Sequence, residues 1–144
     1  MLRRTFSSLL AASVALAAAA AEAKRIRGKL APGPKPMLIT DAGSVALTGD
    51  AGTLLVLGDL RLKDLDVEVL GQPANAAPGA PFEIQPLHKR AVFVHKDSKR
   101  LMVTYWCEVC SIRTFTPGVC MCCQDETAVD LKERLESDDL TTAK

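Results

Sequence analysis

Aromatic residues are scarce: the chain has four Phe, one Trp and one Tyr in 144 residues. So few rings cannot supply a row of base-stacking platforms, and a formal net charge of +1 supplies no basic field to draw in nucleic acid or anionic lipid. Nucleic acid is therefore not an expected partner. No repeat with a period of 20–50 residues is present either, which excludes solenoids and propellers. No Ser/His/Asp constellation, phosphate-binding loop or paired-carboxylate motif stands out, and no Asp or Glu is singled out by its spacing. No catalytic residue is assigned, and an enzyme is not expected.

What the chain does have begins at its N-terminus. Met1-Leu2-Arg3-Arg4 is a short positive segment, and residues 8–21 form an Ala- and Leu-rich stretch too short for a comfortable bilayer span. Ala21-Glu22-Ala23 places small residues at the two positions a signal peptidase reads, so residues 1–23 are expected to be a signal peptide cleaved before Lys24. Ala19-Ala20-Ala21 offers a second frame. Arg3-Arg4-Thr5-Phe6 resembles the twin-arginine signature, which implies export of an already folded chain, often one loaded with its cofactor beforehand. The expected location is periplasmic or secreted, with no stable membrane span after processing.

The mature chain is expected to be mainly β, with five or six strands. Residues 25–30 alternate polar and apolar side chains, and the Pro-rich run at 31–36 must be a loop because proline cannot donate to a ladder. Residues 44–48, 66–70 and 82–84 are further strand candidates, the last after a Pro/Ala-rich surface crossing at 72–81. Asp50 is placed to cap a short helix with Leu54, Leu57 and Leu60 or Arg61 facing inward. Strand lengths and Gly spacing fit a small OB-like partial barrel or an antiparallel sheet over residues 24–106. A cysteine lobe at 107–124 and a short helix with a polar tail at 125–144 would follow. Asp125 or Thr127 would cap that helix, with Ala128, Leu131 and Leu135 on one side.

Residues 88–107 read as a hairpin, two β-prone runs around the polar turn Lys96-Asp97-Ser98-Lys99. A two- or four-residue loop sets His95 opposite Arg100, Val94 opposite Leu101 and Val92 opposite Val103. Carried down the ladder, this register sets His88 opposite Cys107 and makes His88 a possible extra metal ligand. His95 is the weaker candidate of the two, and Met102 alternates with core neighbours.

The five cysteines carry the chemistry. Cys107 and Cys110 form one C-x-x-C pair and Cys120 and Cys123 another, nine residues apart, with Cys122 inside the second. Thiolates two residues apart on a tight turn can point at one ion, and a facing pair completes a tetrahedral set. Thr116-Pro117-Gly118 can reverse the chain and bring the second pair back to the first. Two disulfides are the competing arrangement in an exported chain, but five is odd and adjacent cysteines bridge awkwardly. A redox C-x-x-C is disfavoured because Cys107 follows a strand rather than opening a helix, and c-type haem attachment fails because Ser111 stands where a His is required. Cys107, Cys110, Cys120 and Cys123 are thus the expected ligands, with Cys122 as a possible addition. Zinc is the expected ion, with copper(I) or iron as alternatives, since Cys120-Met121-Cys122-Cys123 is a dense run of soft donors.

These pairs resemble the knuckles of zinc ribbons and rubredoxin-like sites, although no Gly follows either pair. The wider tail, Tyr105-Trp106-Cys107-Glu108-Val109-Cys110 through Cys120-Met121-Cys122-Cys123-Gln124, resembles an uncharacterised group of exported bacterial proteins. That resemblance implies no activity. The expected role is metal binding in an accessory or interaction protein, with an unknown protein partner; the alternative is periplasmic copper or thiol handling.

Replacing Arg3 and Arg4 together by Lys keeps the N-terminal charge but removes the paired guanidinium groups. Precursor should then accumulate in the cytoplasm, read by immunoblot of cell fractions. Normal export of the double variant would instead point to the general secretory route.

Overall fold

The computed structural model describes residues 22–133. Residues 1–21, which hold the arginine pair and most of the expected signal peptide, and residues 134–144, with Leu135, lie outside the described residues.

Strand β1 (Lys24–Ala31) turns Ile26 and Leu30 inward and its charged side chains outward, as its alternation requires. β2 (Met37–Thr40) and β3 (Gly43–Thr48) form a hairpin around Asp41 and Ala42. β4 (Asp66–Pro73) and β5 (Phe82–Ile84) complete a five-stranded closed barrel in the order β1-β2-β3-β5-β4, with β4 pairing back onto β1. β3 and β5 run parallel and the other barrel pairs antiparallel. Two glycines sit where barrel backbones come close together. A Cβ at Gly28 would sit 2.3 Å from the Ile39 carbonyl oxygen, and one at Gly71 only 2.0 Å from that of Glu83. Only glycine lets the backbones approach so closely where a strand passes from one partner to the next.

Leu30, Leu38, Leu47, Val67, Val69, Phe82 and Ile84 fill the barrel. Each aliphatic side chain withdrawn from water in this way contributes roughly 1.5–3 kcal/mol. α1 (Ala51–Leu57) packs on this core and is capped as expected by Asp50, whose Oδ1 accepts from the Thr53 N–H at 2.8 Å. Its buried face is Thr53, Val56 and Leu57. Of the expected inward residues only Leu57 is buried; Leu54 and Leu60 are 37% and 73% exposed. The helix stops at Gly58 and a separate 3-10 turn (Leu60–Leu62) follows, so a single helical face cannot be carried from residue 54 to 61.

β6 (Val92–Lys96) extends the sheet from β4, and β7 (Lys99–Cys107) pairs with β6. The turn is a two-residue loop with Asp97 and Ser98 at φ of 52° and 63°, the mirror-image geometry that suits a twisted hairpin. His95 faces Arg100 and Val94 faces Leu101, as expected. Among the described residues there are nine strands rather than five or six. The short β2, which follows directly on the proline loop, is one of those missed. The expected helix after Thr127 is the main correction: Ala128–Lys132 is a strand, β9, paired antiparallel with β7. Val129 and Leu131 alternate onto the core, and the open edge of β7 satisfies their backbone groups as well as a helix would. No helix among the described residues is long and apolar enough to cross a membrane.

One charge is buried in this sheet. Glu68, on β4, is 2% exposed. Its Oε1 accepts from Arg100 Nε at 2.8 Å and meets His95 Nε2 at 3.0 Å, while Arg25 Nε makes an ion-pair contact with Oε2 at 2.9 Å. Burial pushes the carboxyl upward, but the His95 hydrogen bond and the Arg100 charge outweigh it and hold it below its ordinary value. The fold therefore favours the ionised form. Its contribution to stability is complete above the ordinary carboxylate range and is lost as pH falls through the depressed value. Glu68→Gln should cost about 1–3 kcal/mol in denaturant melts at neutral pH and flatten the acid limb of the stability curve. An unchanged acid limb would contradict this.

Candidate metal centre

The cysteine lobe grows out of β7. Met102 on β7 faces Phe93 of β6 on one side and Lys132 of β9 on the other. Beyond Met102 the β6 ladder ends, and β8 (Ile112–Thr114) takes over that edge from Tyr105 to Cys107. The result is a three-stranded ribbon, β8-β7-β9, continuous with the barrel through one strand. Arg113 on β8 clamps it. Its Nη1 donates to Thr104 Oγ1 at 2.6 Å and to Asp130 Oδ2 at 2.8 Å, and its guanidinium lies over the Trp106 ring. Arg61 ties the ribbon to the barrel by donating to the Thr127 carbonyl at 2.6 Å beside the Tyr105 ring.

Each C-x-x-C pair sits at the tip of a turn, and the two turns are built alike. Ser111 N–H donates to the Cys107 carbonyl at 2.8 Å, and Gln124 N–H to the Cys120 carbonyl at 2.9 Å. The residue after each pair is left-handed, Ser111 at φ 52° and Gln124 at φ 64°. These are the positions where knuckles commonly carry glycine, and here a serine and a glutamine adopt the conformation instead. The second turn is closed below by the Val119–Glu126 bridge and by Cys120 N–H donating to the Asp125 carbonyl at 2.8 Å.

The four sulfurs of Cys107, Cys110, Cys120 and Cys123 all lie within 4.8 Å of one another. Cys107 and Cys123 are 3.5 Å apart. A tetrahedral ion bound at about 2.3 Å spaces its sulfurs at about 3.8 Å, which this group fits. All five cysteines are free, and the Cys107–Cys123 separation is far beyond a disulfide bond of about 2.05 Å. Cys107 and Cys120 are each 2% exposed, while Cys110 and Cys123 are half-buried.

Backbone amides reach some of these sulfurs, and the balance they set differs from one thiol to the next. Cys110 N–H donates to Cys107 Sγ at 3.4 Å. The N–H groups of Cys123 and then Cys122 lower the Cys120 thiol to about 7, against the opposing effect of burial. The Asp125 N–H acts the same way on Cys123, but burial and the neighbouring thiols leave that group above its ordinary value. Cys110 is raised, first through its hydrogen bond with Cys122 and then by burial.

The structure thus brings together the four cysteines of the two pairs. Cys122 is exposed and stands outside the group. His88 is not in it, which corrects the expectation that it faces Cys107. The ladder does not run that far: Arg90 is left-handed at φ 52°, and Leu87–Lys89 forms a 3-10 turn whose Leu87 N–H is held by Asp50 Oδ2. Ile112 takes the place opposite Cys107. Sequence reasoning missed the Arg113–Asp130 clamp; its only trace was the charge pair itself, with no indication that β9 would lie across the ribbon.

Fold and site together define a small β-barrel protein whose ribbon carries a four-cysteine group that could hold a metal ion. Compared with protein families, curated proteins and solved structures, the chain matches none.

The left-handed residues test the knuckle geometry. Gln124→Gly should retain or raise the melting temperature, whereas Gln124→Val should destabilise the ribbon by about 1–2 kcal/mol, the cost of a left-handed conformation for a bulky residue. Equal behaviour of the two variants in thermal melts would contradict that backbone.

Proposed function

We propose that this chain is an exported protein that binds one zinc ion through Cys107, Cys110, Cys120 and Cys123, and that the ion is structural. In this reading the protein is an accessory or interaction module, one of the exported bacterial group that its tail resembles. The observation that carries the reading is the convergence of four thiols, from two matched turns, within 4.8 Å of one another. Four thiolates saturate a tetrahedral ion and leave no position for a reactive water, which suits a structural rather than a catalytic site.

Copper or thiol handling is the second reading, and one observation favours it. Met121 is 86% exposed and Cys122 is exposed beside it, so two soft donors face solvent next to the cluster. Elemental analysis and a visible spectrum of protein recovered from the exported fraction separate the ions. The expected result is one zinc per chain and no colour; copper at that stoichiometry would favour the second reading, and a coloured iron protein would overturn both. Cys120→Ser should lose the ion and lower the melting temperature, because binding energy here is also folding energy. Unchanged metal content and melting in that variant would overturn the ligand assignment.

A further inference from the structure

We infer that Arg25 and Arg100 are the two arms of a binding site for a small tetrahedral oxyanion, phosphate or sulfate, on the outer face of the sheet and separate from the cysteines. Directly paired residues share one face of a sheet, so the ladders across β1, β4, β6 and β7 fix what this face carries. Arg27 lies opposite Glu68, Glu68 opposite Phe93 and His95 opposite Arg100, with Arg25 and Lys29 two residues to either side of Arg27. Glu68 therefore points away from the core that Val67 and Val69 fill. It is 2% exposed because side chains of its own face close over it. The fixed cations Arg25, Arg27, Lys29 and Arg100 share this face with the carboxylates Asp66 and Glu68. The surplus is positive even with His95 neutral.

The way these arginines are held separates the cluster from an ordinary ion-pair network. Arg27 meets Asp66 through Nε at 2.9 Å and Nη2 at 2.6 Å, and Arg61 meets Asp59 through Nε at 2.9 Å and Nη2 at 2.8 Å. Each closes its fork on one carboxylate, which uses up the two-point recognition an arginine offers. Glu68 instead takes a single Nε from each of two arginines, Arg100 at 2.8 Å on Oε1 and Arg25 at 2.9 Å on Oε2. No hydrogen bond among the described residues engages the Nη groups of either. Arg100 is steadied further by the Phe93 ring, whose centroid lies 3.6 Å from its guanidinium. The buried carboxylate thus acts as a clip, drawing guanidiniums from β1 and β7 together by their inner edges. Their outer edges face solvent, on side chains 66% and 40% exposed. A planar carboxylate would satisfy one such fork, whereas a tetrahedral oxyanion has oxygens enough for both.

The test is a calorimetric titration of the purified protein with sodium phosphate and, in parallel, sodium sulfate, against sodium chloride of matched ionic strength. Saturable binding at millimolar concentration or tighter is expected, with a melting temperature that rises with phosphate and not with chloride. Arg25→Lys combined with Arg100→Lys keeps a positive charge on each side of Glu68 but removes both forks. It should keep the wild-type circular dichroism spectrum and bind phosphate at least about tenfold more weakly. Arg25→Lys alone, which leaves Arg100 on Glu68, should weaken binding in the same direction, and Lys29→Gln should change it little. Absence of saturable phosphate or sulfate binding, or equal binding by the double variant, would overturn the inference. So would a loss in Lys29→Gln as large as in the double variant, because binding would then follow charge rather than the forks. Vesicles of phosphatidylcholine carrying phosphatidic acid test the other source of phosphate. Binding to them without binding to free phosphate would overturn the assignment of a free anion.

Discussion

β7 belongs to two structures at once, and the position of every sulfur follows from that. Its first half completes a hairpin with β6 on the flank of the barrel, and its second half is the middle strand of the ribbon. A strand paired on both edges cannot slip by one residue without turning its whole buried set to the wrong face. Val103, Tyr105 and Cys107 lie on that set, at 8%, 0% and 2% exposure. The barrel core therefore sets the register of the first knuckle, and β8 and β9 bring the second to meet it.

Polar contacts hold this shared strand where apolar packing thins out. Tyr105 is wholly buried beside the Asp59 carboxylate, and burial, reinforced by that charge, keeps its hydroxyl protonated far above ordinary values. Arg61 pairs with the same carboxylate and reaches the Thr127 carbonyl, joining the loop after α1 to the base of the second knuckle. Glu68 does the corresponding work between β1, β4, β6 and β7. The ribbon is small and has few large apolar residues. Val109, Val119 and Met121 are exposed at its tips, so little apolar burial is available there to hold the knuckles together. An ion at the four sulfurs would supply that link directly.

Much of this was legible in the sequence, for identifiable reasons. Period-two alternation marked β1, β-prone runs marked β3, β4 and the β6–β7 hairpin, and Asp50 marked the helix start because an acceptor there satisfies an otherwise unpaired N–H. C-x-x-C spacing marked the four sulfurs because it reflects the geometry of a single turn. What failed was long-range. The apolar spacing of Ala128 and Leu131 suited a helix, while Val129 and Leu131 suited a strand, and only the free edge of β7 decided between them. His88 was misplaced because a ladder register was extended past Arg90, where the backbone turns left-handed. The left-handed Ser111 and Gln124 gave no sequence signal, since neither is a glycine. Nothing in the residues announced that one strand would serve two lobes.

If one zinc ion sits among the four thiolates, X-ray absorption at the zinc edge of natively produced protein should show a single shell of four sulfurs at about 2.3 Å. A shell with two or fewer sulfurs completed by light atoms, or a zinc-free protein with its cysteines joined as disulfides, would contradict it.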